Sequence, residues 1–106
     1  MIARVWRGAT LAEDGDEYAR YLVDHGMERT GDLPGSRGAL VLRRDRAGYA
    51  EFETILFFDS LDDVKGFAGD ALDLAVFFER DEAFLVERDL EVRHYEVVSD
   101  TREAGV

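Results

Sequence analysis

The sequence predicts a single α+β domain in the order strand, helix, strand, strand, helix, strand. Runs of period-two alternation recur near residues 2–8, 39–45, 49–59 and 89–98. Stretches with helical spacing and capping residues separate the first run from the second and the third from the fourth. A chain of 106 residues has room for one hydrophobic core and not for two ordinary ones.

The elements come in order. "IARVWRG" (2–8) alternates, with Ala3 and Val5 to one side and Ile2, Arg4 and Trp6 to the other, as a strand does. In "AEDGDEYARYLVDHG", Asp14 stands three residues before Glu17, an N-cap and N3 pair. Tyr18, Tyr21, Leu22 and His25 then recur at helical spacing, and Gly26 is expected to stop the helix. "TGDLPGSRG" gathers glycine, aspartate and the sole proline, Pro34, into a loop. "ALVLRRD" and "YAEFETILFFD" are two strands parted by Arg46, Ala47 and Gly48, a hairpin spacing with glycine in the turn. Ser60 and Asp63 repeat the capping pattern, and Leu61, Val64, Phe67 and Ala68 continue helically to Gly69. Residues 70–89 read as a further short helix with connecting turns, because Leu72, Ala75 and Val76 repeat helically while Phe77, Phe78, Phe84 and Leu85 supply apolar anchors. "DLEVRHYEVV" closes the domain (1–98) as the fourth strand, and 99–106 is a C-terminal tail.

This βαββαβ order is that of a ferredoxin-like fold: a four-stranded antiparallel sheet with both helices on one face. In the third strand Phe52, Thr54, Leu56 and Phe58 suit the helix side, whereas Glu51, Glu53, Ile55 and Phe57 line the other. With Ile2 and Trp6 assigned to that second face beside Ile55 and Phe57, it holds too much apolar surface to stay in water. A homodimer packed sheet to sheet is therefore expected.

Composition narrows the function. Hydrophobic residues at 46% give enough apolar surface to offset chain entropy, so the chain folds despite its charge. A net charge of −11 argues against a nucleic-acid partner and against anionic membrane surfaces. No apolar run of spanning length occurs, and "MIARVWRG" carries arginine where a secretory segment would be apolar, so a cytoplasmic protein is expected. Without cysteine there is no disulfide framework, thiolate nucleophile or Cys-based metal site, and two histidines are too few for a His-rich one. The adjacent carboxylates Asp62 with Asp63 and Asp81 with Glu82 point apart and cap helices, so no metal is assigned. No glycine pattern matches a nucleotide-binding loop, and no cofactor is expected.

The stretches "MIARVWRG", "RGALVLRR", "FFDSLDDVKGFAG" and "VRHYEVV" together resemble the antibiotic biosynthesis monooxygenase family of the dimeric α/β barrel superfamily, over roughly residues 1 to 98. The resemblance implies a dimeric α/β barrel, and an activity like that of cofactor-independent oxygenases acting on polycyclic aromatics. The haem-degrading branch is the least similar. It relies on a strand-one asparagine and on a tryptophan and histidine in the later helical region, whereas strand one here has no asparagine and residues 60–88 contain neither Trp nor His.

Four residues are candidates for a site. His94 suits a general base near neutral pH, or a group orienting a phenol or enol, if it faces the cleft while Tyr95 and Val97 face the helices. Trp6 suits stacking on a planar substrate, Arg4 an oxyanion and Glu53 a proton. Each has a structural alternative: hydrogen-bonded interface glue for His94, an interface anchor for Trp6, and an intersheet ion pair for Arg4 and Glu53. His25 reads as a cation at a helix C-terminus. Two functions stay open: a cofactor-independent monooxygenase-like enzyme acting on an aromatic or enolic small molecule, and a non-catalytic dimeric α/β barrel that binds a ligand or serves in stress.

Overall fold

The computed structural model describes residues 1–102, and of residues 27–29 the backbone only, so residues 103–106 of the expected tail lie outside the described residues. The strongest alternation in the chain builds the sheet. β1 (Ile2–Leu11) pairs antiparallel with β3 (Tyr49–Phe58) along its whole length, from Ile2 opposite Phe58 to Leu11 opposite Tyr49. β2 (Ser36–Arg46) joins β3 through Ala47 and Gly48, whose φ angles of 53° and 83° are both positive. Two such residues make the mirror-image turn that matches strand twist, which is why glycine occupies the second place.

The other edge of β1 carries two short strands in place of the one expected. β4 (Leu85–Arg88) pairs with Gly8–Thr10, and β5 (Arg93–Glu96) pairs with Ile2–Val5. The sheet thus has five strands in the order β2-β3-β1-β4, with β5 also on β1. Between them the chain bows out but stays tied, since the Asp89 N–H donates to the Arg7 carbonyl at 2.9 Å.

Helices cover one face. A 3-10 turn (Ala12–Asp14) leads into α1 (Gly15–Tyr21), and Asp14 makes no side-chain capping bond, so the capping pair expected there does not form. Nor does Gly26 stop the helix. The chain continues through a π-helical turn (Leu22–Met27) into α2 (Glu28–Gly31). Gly26 is buried instead, and a side chain there would press on the Phe78 ring at 2.9 Å. His25, expected as a C-terminal cation, lies inside the π turn and stacks on Tyr21 at 4.9 Å. α3 (Leu61–Ala68) begins as predicted, its N-cap Ser60 accepting from the Asp63 N–H. Residues 72–76 are not helical. Leu74 bridges to Glu91, and only the single turn α4 (Asp81–Phe84) forms before β4.

Register decides the two faces, because residues directly opposite in an antiparallel pair share a face. Ile2, Arg4, Trp6 and Gly8 lie opposite Phe58, Leu56, Thr54 and Phe52, hence under the helices. Ala3, Val5, Arg7 and Ala9 lie opposite Phe57, Ile55, Glu53 and Glu51, on the outer face. The expected sides of β3 hold. The placement of Ile2 and Trp6 beside Ile55 and Phe57 does not. Along β5, His94 pairs with Arg4 under the helices while Tyr95 pairs with Ala3 on the outer face and is 52% exposed, the reverse of the sides expected for both. The core sits between sheet and helices in two patches. Tyr18, Tyr21 and Leu22 pack on Ala50, Phe52 and Phe84, and Leu56 and Phe58 pack on Val64.

Gly8 is a closely packed point beneath this face. The Trp6 ring folds over it, and a methyl group there would overlap the indole and come within 3.2 Å of Leu85 Cδ2. Gly8→Ala is expected to destabilise the fold by about 1–3 kcal/mol through overpacking, read as a lower urea midpoint with an unchanged slope.

Candidate functional site

The β1–β5 register brings Arg4 and His94 together, and burial makes them bond. Arg4 is 3% exposed. Its Nη1 donates to the Leu72 carbonyl at 2.7 Å, its Nη2 donates to the Leu74 carbonyl at 2.8 Å, and its guanidinium lies 5.5 Å from the centre of the Phe67 ring. Burial lowers the Arg4 pKa, and the nearby Asp73 charge opposes the shift. Nη1 also lies 3.0 Å from His94 Nε2. A guanidinium offers only donors, so that nitrogen must accept, and the ring proton resides on Nδ1, which lies 3.7 Å from Asp73 Oδ1. Burial first, and then the Arg4 charge, hold the His94 pKa below its ordinary value. The imidazole is therefore neutral with its lone pair engaged. Arg4 clamps residues 72–74 against the sheet and His94 positions Arg4.

Beside this clamp lies an inner cavity of about 40 Å³ whose walls include Leu22, Leu56, Phe67, Val76, Phe78 and Val92. Arg4, Thr54, Tyr18 and Asp81 are polar members of its lining, and Trp6 is in the wall as well. Asp81 is 3% exposed. Its Oδ1 accepts from the Tyr18 hydroxyl at 3.1 Å and its Oδ2 accepts from the Phe78 N–H at 2.6 Å. Burial raises the Asp81 pKa, against the pull of these two bonds and of Arg88. Burial and the neighbouring carboxylate push the Tyr18 hydroxyl far above its usual range, so it stays protonated as a donor.

Phe67, Val76 and Phe78 also face a second, open cleft of about 410 Å³ on the side of α2 and α3, completed by Thr30, Leu33, Gly66, Phe77 and Glu79. Trp6 supports its wall from behind. The indole N–H donates to the Asp89 carbonyl at 2.9 Å, and the ring meets Phe77 edge-on at 6.2 Å. Phe77 also carries the Arg88 guanidinium, 4.9 Å from its ring centre.

Of the four candidate residues, three therefore come together under the helices: Arg4, Trp6 and His94. Glu53 is separated from them by the sheet. It lies opposite Arg7 and Leu42 on the outer face, where it lines a concavity of about 550 Å³. Asp81 and Tyr18 are not among the four, although the sequence carries a signal for the first. Phe78, Asp81 and Phe84 share helical spacing, which puts the carboxylate on the apolar face of its turn. Among the described residues no cluster of three or more His, Cys, Asp or Glu side chains forms a metal site. No helix of the described residues is long and apolar enough to cross a membrane.

No protein-family model matches the sequence, and no curated protein does. Solved structures do match. The fold is that of the antibiotic biosynthesis monooxygenase-type structures. Two proteins assigned as antibiotic biosynthesis monooxygenases share it. The one from Deinococcus radiodurans has a TM-score of 0.66 at 18% identity, covering 94% of this chain and 95% of that one. The one from Bacillus cereus has a TM-score of 0.63 at 14% identity, covering 93% and 94%. The haem degrader MhuD of Mycobacterium tuberculosis, solved with two haems in its active site, has a TM-score of 0.64 at 18% identity and covers 94% and 98%. The expected α+β, ferredoxin-like architecture is thus the one observed, with the fourth strand divided.

The clamp gives stability a pH dependence. With the folded pKa of His94 below the ordinary 6.5, the unfolded chain takes up the proton first as pH falls. The contribution is complete above about pH 6.5 and declines below it. His94→Gln keeps an acceptor for Arg4 and removes the titration. The fall in urea midpoint between about pH 7.5 and pH 5.5 should be smaller in the variant than in the parent.

Proposed function

We propose that the chain is a cofactor-independent monooxygenase-like protein that takes an aromatic or enolic small molecule into the open cleft beside α2 and α3. One observation carries the reading. The cleft of about 410 Å³ has Phe67, Phe77, Phe78, Val76 and Leu33 in its walls, and three of these, Phe67, Val76 and Phe78, also line the inner cavity that Tyr18 and Asp81 border. That volume is within the ordinary range for a small-molecule site, and aromatic walls suit a planar ligand. The shared fold supports the reading, since two neighbours are assigned as monooxygenases and a third holds haems, themselves large planar ligands.

The chemistry needs no electrons from elsewhere. Loss of a proton from an activated CH₂ leaves an enolate, which gives electrons to dioxygen and forms a carbon–oxygen bond. Protonation yields a hydroperoxide, and loss of the remaining C–H proton with hydroxide gives a ketone and water. One oxygen atom stays in the product, and the substrate supplies every electron. The protein must hold the planar anion, keep water away and move protons.

A second reading is a non-catalytic dimeric α/β barrel that binds a ligand. Two observations favour it: the inner cavity of about 40 Å³ is too small for an aromatic ring, and the His94 lone pair is engaged by Arg4. Oxygen uptake separates the two readings. With an anthrone, a tricyclic CH acid, the first reading expects uptake of one O₂ per ketone formed and a product about 14 mass units heavier, the net exchange of two hydrogens for one oxygen. Val76→Trp, which fills the cleft, should raise KM or abolish turnover. Binding of the anthrone without uptake would establish the second reading.

A homodimer is part of the proposal. The outer face presents Leu11, Leu42, Tyr49 and Tyr95, each 40% or more exposed, around the less exposed Leu40 and Ile55. Arg7 and Arg93 interleave with Glu51, Glu53 and Glu87, which a second copy can pair. Light scattering at micromolar concentration should give twice the 12.0 kDa chain mass, and Leu42→Asp should return it to the monomer mass. A cytoplasmic location goes with this reading, on the acidic, cysteine-free composition.

A further inference from the structure

Asp81 is the one buried carboxylate among the described residues, and it borders the inner cavity directly behind the aromatic cleft. Its hydrogen bonds leave it able to act. Each oxygen accepts a single bond, one from Tyr18 and one from the Phe78 backbone, so each keeps a second lone pair. Both donors lie in the cavity wall, and Phe78 stands in the wall of the outer cleft as well. Phe67, Val76 and Phe78 stand in the walls of both spaces, so Asp81 lies behind the side chains that a planar ligand in the cleft would touch. By contrast His94 does not line either cavity, and its acceptor nitrogen is held by Arg4.

We infer that Asp81 is the catalytic proton acceptor of the proposed reaction, and that Tyr18 is a positioning residue that holds its carboxylate. The inference rests on the monooxygenase-like reading above. The carboxylate takes a proton from the activated CH₂, whose C–H electron pair stays on the substrate as the enolate. The carboxylic acid then gives that proton to the peroxide formed with dioxygen. Asp81 takes the second C–H proton as the carbonyl forms and passes it to the departing hydroxide, which leaves as water. The residue ends as it began.

The surroundings suit the task. Burial makes the ionised carboxylate costly and therefore a stronger base than an exposed one, while Tyr18 from α1, Arg88 from β4 and the Phe78 N–H oppose that shift. Arg4 of β1 lines the same cavity, and Arg80, next to Asp81, is drawn instead over the Tyr21 and Phe84 rings.

The test is steady-state oxygen uptake with the anthrone as a function of pH. Asp81→Asn should lower kcat by roughly 10²–10⁴-fold with little change in KM, and Asp81→Glu should restore part of the loss. Tyr18→Phe removes a bond that favours the ionised form, so the acidic limb of its kcat profile should move to higher pH, which a purely structural role would not produce. If Asp81→Asn fails to fold, as its melting curve would reveal, the Tyr18→Phe profile decides alone. Turnover of Asp81→Asn at the parent rate, or an unmoved acidic limb in Tyr18→Phe, overturns the assignment. A parent protein that takes up no oxygen overturns the monooxygenase-like reading and the base with it, whereas an active parent matched by Asp81→Asn removes the base alone.

Discussion

The interaction on which the rest of the arrangement depends is the buried guanidinium of Arg4. A charge taken out of water must be offset by close partners, and Arg4 finds two backbone carbonyls, an imidazole nitrogen and an aromatic face. Each carbonyl would cost about 1–3 kcal/mol if left without a donor, so the segment 72–74 and the arginine hold each other in place. This is why the helical spacing of Leu72, Ala75 and Val76 yields no helix. A helix there would direct those carbonyls along its own axis and leave the charge unpaired. The bridge from Leu74 to Glu91 and the bond from the Val92 N–H to the Asp73 carbonyl complete the tie.

Pinning 72–74 also fixes the next stretch of chain. It leaves the clamp at Ala75, whose N–H donates to the Leu90 carbonyl, and immediately presents Val76, Phe77 and Phe78 to the helices. Phe77 meets both the Trp6 ring and the Arg88 guanidinium, while Phe78 rests against buried Gly26. The cleft wall is thus anchored at both ends, by a charge at one and by close glycine packing at the other. Where the fourth strand divides, the Trp6 ring lies over Gly8 and its indole N–H donates to the Asp89 carbonyl between β4 and β5.

Much of this architecture was legible in the sequence, and the exceptions share a cause. The hairpin at Ala47 and Gly48, the Ser60 cap and the two sides of β3 follow from local rules, since turn geometry, capping and alternation each involve neighbouring residues. The side of β1 does not. Ile2, Arg4 and Trp6 form one parity and Ala3, Val5 and Ala9 the other, and both mix with the core residues of their neighbours, so only the pairing of Arg4 with Leu56 and of Trp6 with Thr54 decides between them. Setting that parity correctly keeps Arg4, Trp6 and His94 together and removes Glu53. Gly26 misleads for a related reason, because a glycine that ends a helix and one that admits an aromatic ring look alike until Phe78 is placed. Asp81 is hidden by its neighbours, standing in "ERDEAF" as one carboxylate among three, and only its shared face with Phe78 and Phe84 marks it as buried.

The separation of the outer cleft from the inner cavity bears on which polar group does chemistry. A ligand with aromatic rings fits the outer cleft of about 410 Å³ and not the inner cavity of about 40 Å³, whose volume suits a few waters, a dioxygen molecule or one projecting group. Thr30 and Glu79 are the polar residues of the cleft wall itself, whereas Arg4, Trp6, Thr54, Tyr18 and Asp81 line the inner cavity behind it and His94 lines neither. Within the inner cavity Arg4 has its donors engaged by carbonyls, Trp6 its N–H by the Asp89 carbonyl and Tyr18 its proton by Asp81, which leaves the Asp81 carboxylate as the titratable acceptor there. The clamp and the base thus perform separate work. Arg4 with His94 fixes the segment that leads into the wall, and Tyr18 with the Phe78 backbone fixes the carboxylate behind it, so a defect in the first should loosen the cleft before it alters the proton chemistry of the second.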